Sequence, residues 1–265
     1  MAEPATDKPA LLIEDIGRVR KLTLNTPERR NPLSFSLCKD LLAALREAEA
    51  SDAVTAVIIT GAGKTFCVGG DQKDFQGAFS KRPPEVLKDY PPLEIFRLAQ
   101  NYRKPLIAAI NGPALGGGLG ITCLSHIAIA AQSATFGMPE IRLGIFPLTV
   151  VPVVRRYLGE RLTYDLSLTG RSLTASEALA AGVLTRVVPD DELQAVALQV
   201  ASSIGEFSPL ALRLGLEVLQ TSADMNFEQS IQYMNSMRAI IFASEDMYEG
   251  ASAFLEKRKP VWRGR

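Results

Sequence analysis

Two glycine clusters are the places in this chain where the backbone itself could do chemistry. The first is Phe66-Cys67-Val68-Gly69-Gly70-Asp71 and the second is Gly112-Pro113-Ala114-Leu115-Gly116-Gly117-Gly118-Leu119-Gly120. Glycine permits positive φ and lets backbone approach a ligand closely. Where such a turn opens a helix, free N–H groups and a partial positive charge point at whatever lies beyond it. Two such turns facing one point would make an oxyanion hole, in which losing one donor typically costs about 100- to 1000-fold in rate. Either cluster taken singly is also explained by a tight turn. Phosphate binding is the competing chemistry. Gly61-Ala62-Gly63-Lys64-Thr65 ends like a Walker A loop, but the position five residues before Gly63 is Ile58 where that motif needs glycine. No GxGxxG fits either cluster, so both nucleotide motifs are rejected.

The elements that would position these turns are legible from periodicity. Val19–Leu24 nearly alternates polar and apolar residues and predicts a strand. Asn25 to Pro32 is a turn-rich, basic loop. Ser34 precedes a predicted helix to about Ala50, with leucines at 37, 41, 42 and 45. The runs 54–60, 106–110 and 127–131 predict buried strands. Pro83-Pro84 and Pro91-Pro92 predict a mobile segment over 80–92, followed by a helix over about 93–102. Strand, glycine turn and helix thus recur in the first 180 residues, which predicts an α/β layered domain. A helix over 176–182 closes on Gly182, and further helices are predicted over about 191–205, 209–220, 226–243 and 245–257. The reading divides the chain into an α/β core over 10–190 with the active site, after a loose N-terminal tail, and a helical C-terminal region over 191–265 that serves oligomerisation.

Composition removes several classes of function. With 265 residues, 47% of them apolar and 22% charged, the chain is long enough to build its own core. Lys+Arg and Asp+Glu both number 29, so no global field draws it to nucleic acid or an acidic membrane. Three cysteines, Cys38, Cys67 and Cys123, show no CxxC spacing, which argues against a disulfide framework or a zinc site and for a reducing, cytoplasmic compartment. Met1 to Pro9 is polar and does not read as a signal peptide, and no uninterrupted run of eighteen apolar residues predicts a membrane span.

Several separated strings, in order, resemble the crotonase (enoyl-CoA hydratase/isomerase) superfamily. Asn25-Thr26-Pro27-Glu28-Arg29-Arg30-Asn31-Pro32-Leu33-Ser34 resembles its opening motif. The stretch 57–71, ending Val68-Gly69-Gly70-Asp71, looks like its first oxyanion turn. Lys104 to Gly112 with the triple glycine looks like its second, and Phe136 to Pro147 resembles the loop carrying a catalytic acid. Leu168 to Arg171, Ala175 to Val183 and Phe254-Leu255-Glu256-Lys257-Arg258-Lys259-Pro260 match as well, so the likeness covers about residues 10 to 260.

The resemblance implies a crotonase-like (ClpP/crotonase) α/β spiral of strand-strand-helix repeats with a C-terminal helical trimerisation region, in homotrimers or hexamers. It implies an acyl-CoA substrate, whose coenzyme A is part of the substrate and not a separate cofactor, in fatty-acid or related metabolism. It places the oxyanion donors at the N–H groups of Gly70 and Gly117, with Cys67, Val68, Gly69, Asp71 and Gly116 around the thioester. Arg29, Arg30, Lys257 and Arg258 are candidates for the coenzyme A phosphates. Family hydratases pair two glutamates; the position of the first is Gly120 here, and the second is Glu140. Met138, Pro139, Ile145 and Phe146 beside Glu140 are apolar and would raise its pKa. A single base suits an isomerase, which takes a proton from one carbon and returns it to another, better than water addition. Asp71 and Asp74 are the other carboxylates in range, Asp71 serving rather to fix its turn. His126, the only histidine, is expected to be structural, and Cys67 to pack. Other enolate chemistry, such as decarboxylation or C–C cleavage, and a catalytically impaired member with a binding role stay open at this stage.

Overall fold

The computed structural model describes residues 8–78, 81–88 and 90–265. Its strands are β1 Leu11–Ile16, β2 Val19–Leu24, β3 Ala56–Gly61, β4 Leu106–Ile110, β5 Ala114–Leu115, β6 Ile127–Ala131, β7 Thr135–Gly137, β8 Ser172–Thr174 and β9 Arg186–Val188. Its helices are α1 Phe35–Ala50, α2 Gln72–Ala78, α3 Pro83–Lys88, α4 Pro91–Gln100, α5 Gly117–Leu124, α6 Val151–Thr169, α7 Ala175–Ala180, α8 Leu193–Ile204, α9 Pro209–Thr221, α10 Phe227–Phe242 and α11 Glu245–Leu255. The loose tail expected at the N-terminus lies almost wholly outside the described residues. The break expected over 80–92 holds α3 and the start of α4, where Pro91 at the first helical position is pre-set for a helix.

The main sheet has the order β1-β2-β3-β4-β6-β9 and the smaller one β5-β7-β8. β1 and β2 form an antiparallel hairpin, and the pairs from β2 through β9 are all parallel. The chain rises through a main-sheet strand, passes through a short strand of the second sheet and returns by a helix, as in β4–β5–α5 and β6–β7–α6. The strands β3, β4 and β6 read as unbroken apolar runs because both faces are covered. Successive side chains point to opposite faces. Val57, Ile59, Leu106, Ala108 and Ile110 face the core of α1, α4 and α5. Ala56, Ile58, Ile107, Ala109 and Ile129 face Leu193, Ala197, Val200 and Ala201 of α8. Helix α8 begins inside the region assigned to the C-terminal appendage, yet it supplies the second cover of the sheet.

Helix α1 is set by its ends. The Ser34 side chain accepts from Leu37 N at 3.2 Å, and Leu37, Cys38, Leu41, Leu42, Ala44, Leu45 and Ala48 form its buried stripe. At its C-terminus the Lys104 ammonium donates to the carbonyls of Ala48 (2.7 Å), Ser51 and Val54 (2.7 Å). The Ala48 carbonyl is one that a helix end leaves without a partner, and Ser51 and Val54 lie at and beyond the C-cap in the loop that leads to β3. His126 is likewise structural. Its Nδ1 accepts from the Leu106 amide at 2.9 Å, its Nε2 faces the Gln220 side-chain amide at 3.1 Å, and burial pushes its pKa down to about 4, so the ring is neutral. Among the described residues no single helix is long and apolar enough to cross a membrane.

Candidate active site

In a parallel sheet the carboxyl ends of the strands share one edge, where ligand crevices form. Here β3 ends at Gly61 and β4 at Ile110 on that edge, and the two glycine clusters follow directly. Two asparagines fasten them. Fully buried Asn31, in the left-handed region at φ 55° that asparagine tolerates, donates to the carbonyls of Ala62 (2.9 Å) and Thr65 (2.7 Å) and accepts from Thr26 N (2.9 Å). Asn111 donates to Gly63 O at 2.9 Å and accepts from Gly61 N at 3.1 Å. The opening motif and the two clusters then run side by side. Leu33 N donates to Gly69 O (2.7 Å), Cys67 N to Pro113 O (3.1 Å) and Leu115 N to Cys67 O (2.8 Å).

The two turns meet at Gly69. Its φ is +90°, and a Cβ there would sit 3.0 Å from Leu115 O and 3.2 Å from Gly117 N, so only glycine fits. Gly116, at φ +51°, donates its N–H to Gly137 O at 2.8 Å. Among the described residues no partner accepts from the N–H of Gly70 or of Gly117, and both residues are partly exposed. Gly117 opens α5, so its amide carries the positive end of that helix.

The carboxylates around these turns differ in what holds them. Asp71, 5% exposed, is ion-paired with Arg29 and accepts from Lys73 N at 2.9 Å. Asp74 accepts from Phe35 N at 2.7 Å, at the start of α1. Glu140 sits in a short 3-10 turn, Pro139–Leu143, and lies against Gly116 so closely that a Cβ there would land on its carboxylate. Its Oε2 is buried without a hydrogen-bond partner, and burial raises its pKa above the usual carboxylate value, with a hydrogen bond from its own amide opposing. Tyr90 is near enough to feel that charge; its phenol is raised first by burial, and its side chain hydrogen-bonds Thr149. Ile145, Phe146 and Leu148, which follow Glu140 in the chain, are exposed apolar residues.

The sequence-predicted residues from Cys67 to Asp71, Gly116, Gly117 and Glu140 thus come together. Cys67 is fully buried, and burial raises its thiol to about 12, so it contributes through its backbone and not as a side chain facing substrate. Arg29 stays at the site through Asp71. Lys257 lies exposed beyond α11 and makes no hydrogen bond or ion pair with the turn residues among those described. Arg258 is held by Glu249 and Glu256. Sequence reasoning gave no role to Asn31 or Asn111, although an asparagine beside each turn was a visible signal. It also missed Phe96. A Cβ at Gly120 would come 2.7 Å from Phe96 Cζ, so a phenyl ring fills the space that a side chain at 120 would take. No cluster of three or more His, Cys, Asp or Glu residues able to hold a metal occurs among the described residues.

A family model described as enoyl-CoA hydratase/isomerase matches residues 15–265. The chain belongs to the enoyl-CoA hydratase/isomerase family. It is 37% identical to a probable enoyl-CoA hydratase of Rhizobium meliloti (strain 1021), covering 96% of this chain and 98% of the relative. It is 35% identical to the 2,3-dehydroadipyl-CoA hydratase of Escherichia coli (strain K12), covering 96% and 99%. The crystal structure of an enoyl-CoA hydratase from Bacillus anthracis superposes with a TM-score of 0.90 at 30% identity, covering 97% of this chain and all of that one. The fold is therefore the crotonase spiral, and the chain is an enzyme of the enoyl-CoA hydratase/isomerase family.

Proposed function

We propose that this enzyme is an enoyl-CoA isomerase that moves a double bond in an acyl-CoA thioester through its dienolate. The observation that carries this reading is the pairing of a half-buried carboxylate, Glu140, whose Oε2 is buried without a partner, with a phenyl ring where a second acid would stand. The thioester oxygen would sit between the N–H groups of Gly70 and Gly117. Glu140 takes a proton from C2 of a 3-enoyl thioester, and the electron pair left behind delocalises over C2, C4 and that oxygen. Two fixed donors favour the developing charge without reorganisation. The protonated Glu140 then returns the same proton to C4, giving the 2-enoyl product. A carboxyl with a raised pKa suits both steps, because it must hold the proton between them. Apart from the coenzyme A of its substrate, this chemistry asks for no cofactor.

Arg29, anchored by Asp71 with two fifths of its side chain exposed, and the exposed Arg30, Lys257 and Arg258 are the proposed contacts of the coenzyme A phosphates. A homotrimer or hexamer in the cytoplasm is part of the same proposal. It is supported by α10, which buries none of its residues, and by the exposure of Phe227, Phe242 and Phe254. Hydration is the second reading, favoured by the names of the relatives. The two are separated by offering the enzyme matched 3-enoyl and 2-enoyl thioesters in deuterated water and following products by mass spectrometry. The isomerase reading expects the 3-enoyl thioester to convert faster than water adds to the 2-enoyl one. Faster hydration would reject it.

A further inference from the structure

A cavity of about 870 Å³ lies at the opposite edge of the sheet from the glycine turns. It touches Val54 and Thr55 just before β3, and Lys104 and Pro105 just before β4, whereas the active site follows the other ends of those strands. A strand of six residues at about 3.3 Å each separates the two by roughly 20 Å. The end of α1, the first turn of α9 and residues 262–264 close it. This volume is in the range of small-molecule sites, about 300–1,000 Å³.

Its lining is basic and partly aromatic in a chain whose charge is balanced overall. Six cations face two carboxylates, Glu49 and Asp52. Lys104 is already occupied by three carbonyls at and just beyond the end of α1. Arg103 and Arg263 make only long ion pairs, 3.8 Å to Glu217 and 3.9 Å to Glu245. Arg46 and Arg213 are exposed and have no ion-pair or hydrogen-bond partner among the described residues. The positive end of α9 adds to the same field. Phe207, 59% exposed, and Trp262 supply two aromatic rings.

The wall is built in place. Trp262 Nε1 donates to Glu206 O at 2.7 Å. Asp246, 3% exposed, accepts from Arg263 N at 2.6 Å, from Gly264 N at 3.0 Å and from Ser208 Oγ at 2.6 Å. One buried carboxylate thereby holds the chain at 263–264 against the start of α9.

We propose that this cleft binds a nucleotide-class anion, a phosphate ester of several charges carrying a planar base. Guanidinium forks match phosphate oxygens bidentately, and Arg46 and Arg213 are free to do so. Phe207 offers its face to the base. The proposal is independent of the reaction assigned to the glycine turns.

Trp262 is the only tryptophan, so intrinsic fluorescence of the full chain reports on this cleft. The titrants are ATP, inorganic tripolyphosphate and adenosine. ATP should give a saturable change whose midpoint rises with salt; tripolyphosphate should bind more weakly, and adenosine not at the same concentrations. Arg46→Ser with Arg213→Ser should weaken ATP at least about tenfold, since two charge-assisted contacts are lost, while turnover of an enoyl thioester stays unchanged. Phe207→Ala should weaken ATP but not tripolyphosphate. Four results would overturn the proposal: no saturable change at millimolar ATP; equal affinity in the double variant; tripolyphosphate binding as tightly as ATP; or a Trp262 that iodide cannot quench in the assembled protein, which would give the cleft to a subunit interface.

Discussion

The two glycine turns are built alike and staffed differently. At the first, the carboxylates have work already: Asp71 holds Arg29 and the Lys73 amide, and Asp74 holds the first amide of α1. At the second, Glu140 rests against Gly116 with its Oε2 buried and without a hydrogen-bond partner. Satisfied acids fix shape, and a buried acid without a partner is costly. Such a cost at a crevice is what proton-transfer groups carry. The contrast separates an acid that moves protons from acids that hold backbone, although all lie close to the same glycines.

The largest effect should come from swapping each acid for its amide. Glu140→Gln keeps size and removes the titrating group, so turnover should fall by about 100- to 10,000-fold, the usual worth of general acid–base help. Exchange of the substrate α-proton with deuterated water should fall in parallel. Asp71→Asn should retain most of that exchange, because Asp71 acts through the turn. If Asp71→Asn lost exchange and Glu140→Gln kept it, the roles would be reversed.

A smaller effect sharpens the other side of the second turn. Gly120→Glu would place a side chain into Phe96 and bury a carboxylate. Overpacking of this kind typically costs about 1–3 kcal/mol, readable as a lower urea midpoint. Adding Phe96→Ala should return part of that loss, since contacting residues couple by about 0.5–3 kcal/mol. The pair should also raise water addition to a 2-enoyl thioester relative to Phe96→Ala alone. A fully stable single variant would mean that the ring does not block the position.

How far the sequence carried this contrast depends on range. Strands 106–110 and 127–131 are legible as unbroken apolar runs, and α1 because its leucines recur at helical spacing. β1 was missed because, as an edge strand, it leaves Leu12 and Ile13 exposed and so shows no alternation. β5, β7 and β8 hold two or three residues each, too few for any period. α6 lacks a clear stripe and is broken at Gly159, whose φ is 65°. The glycine turns and Glu140 were visible as strings. The filling of position 120 by Phe96 was not, because it joins residues 24 apart through the packing of α4 on α5.

The last test uses stability, where the two acids should move in opposite directions. Burial raises the folded-state pKa of Glu140 above the unfolded value of about 4.3. Between those two values the folded chain binds more protons than the unfolded one, so stability falls as pH rises through that window. Below the unfolded pKa both states are protonated and no penalty exists. Above the folded pKa the whole penalty is present. Each pH unit of separation corresponds to about 1.4 kcal/mol, or roughly 3–5 °C in Tm for a chain of this size. Gln carries no titrating proton and escapes the term. Glu140→Gln should therefore melt higher than the wild type at pH 7, with the gap closing as pH falls towards 4. Asp71→Asn should melt lower at pH 7, because it leaves Arg29 without its partner in a half-buried place. Differential scanning calorimetry of both variants at pH 4 and pH 7 reads the pair together. A Glu140→Gln protein that melted lower at pH 7 would show that the carboxylate has a stabilising partner in solution, and the contrast between the two turns would fail.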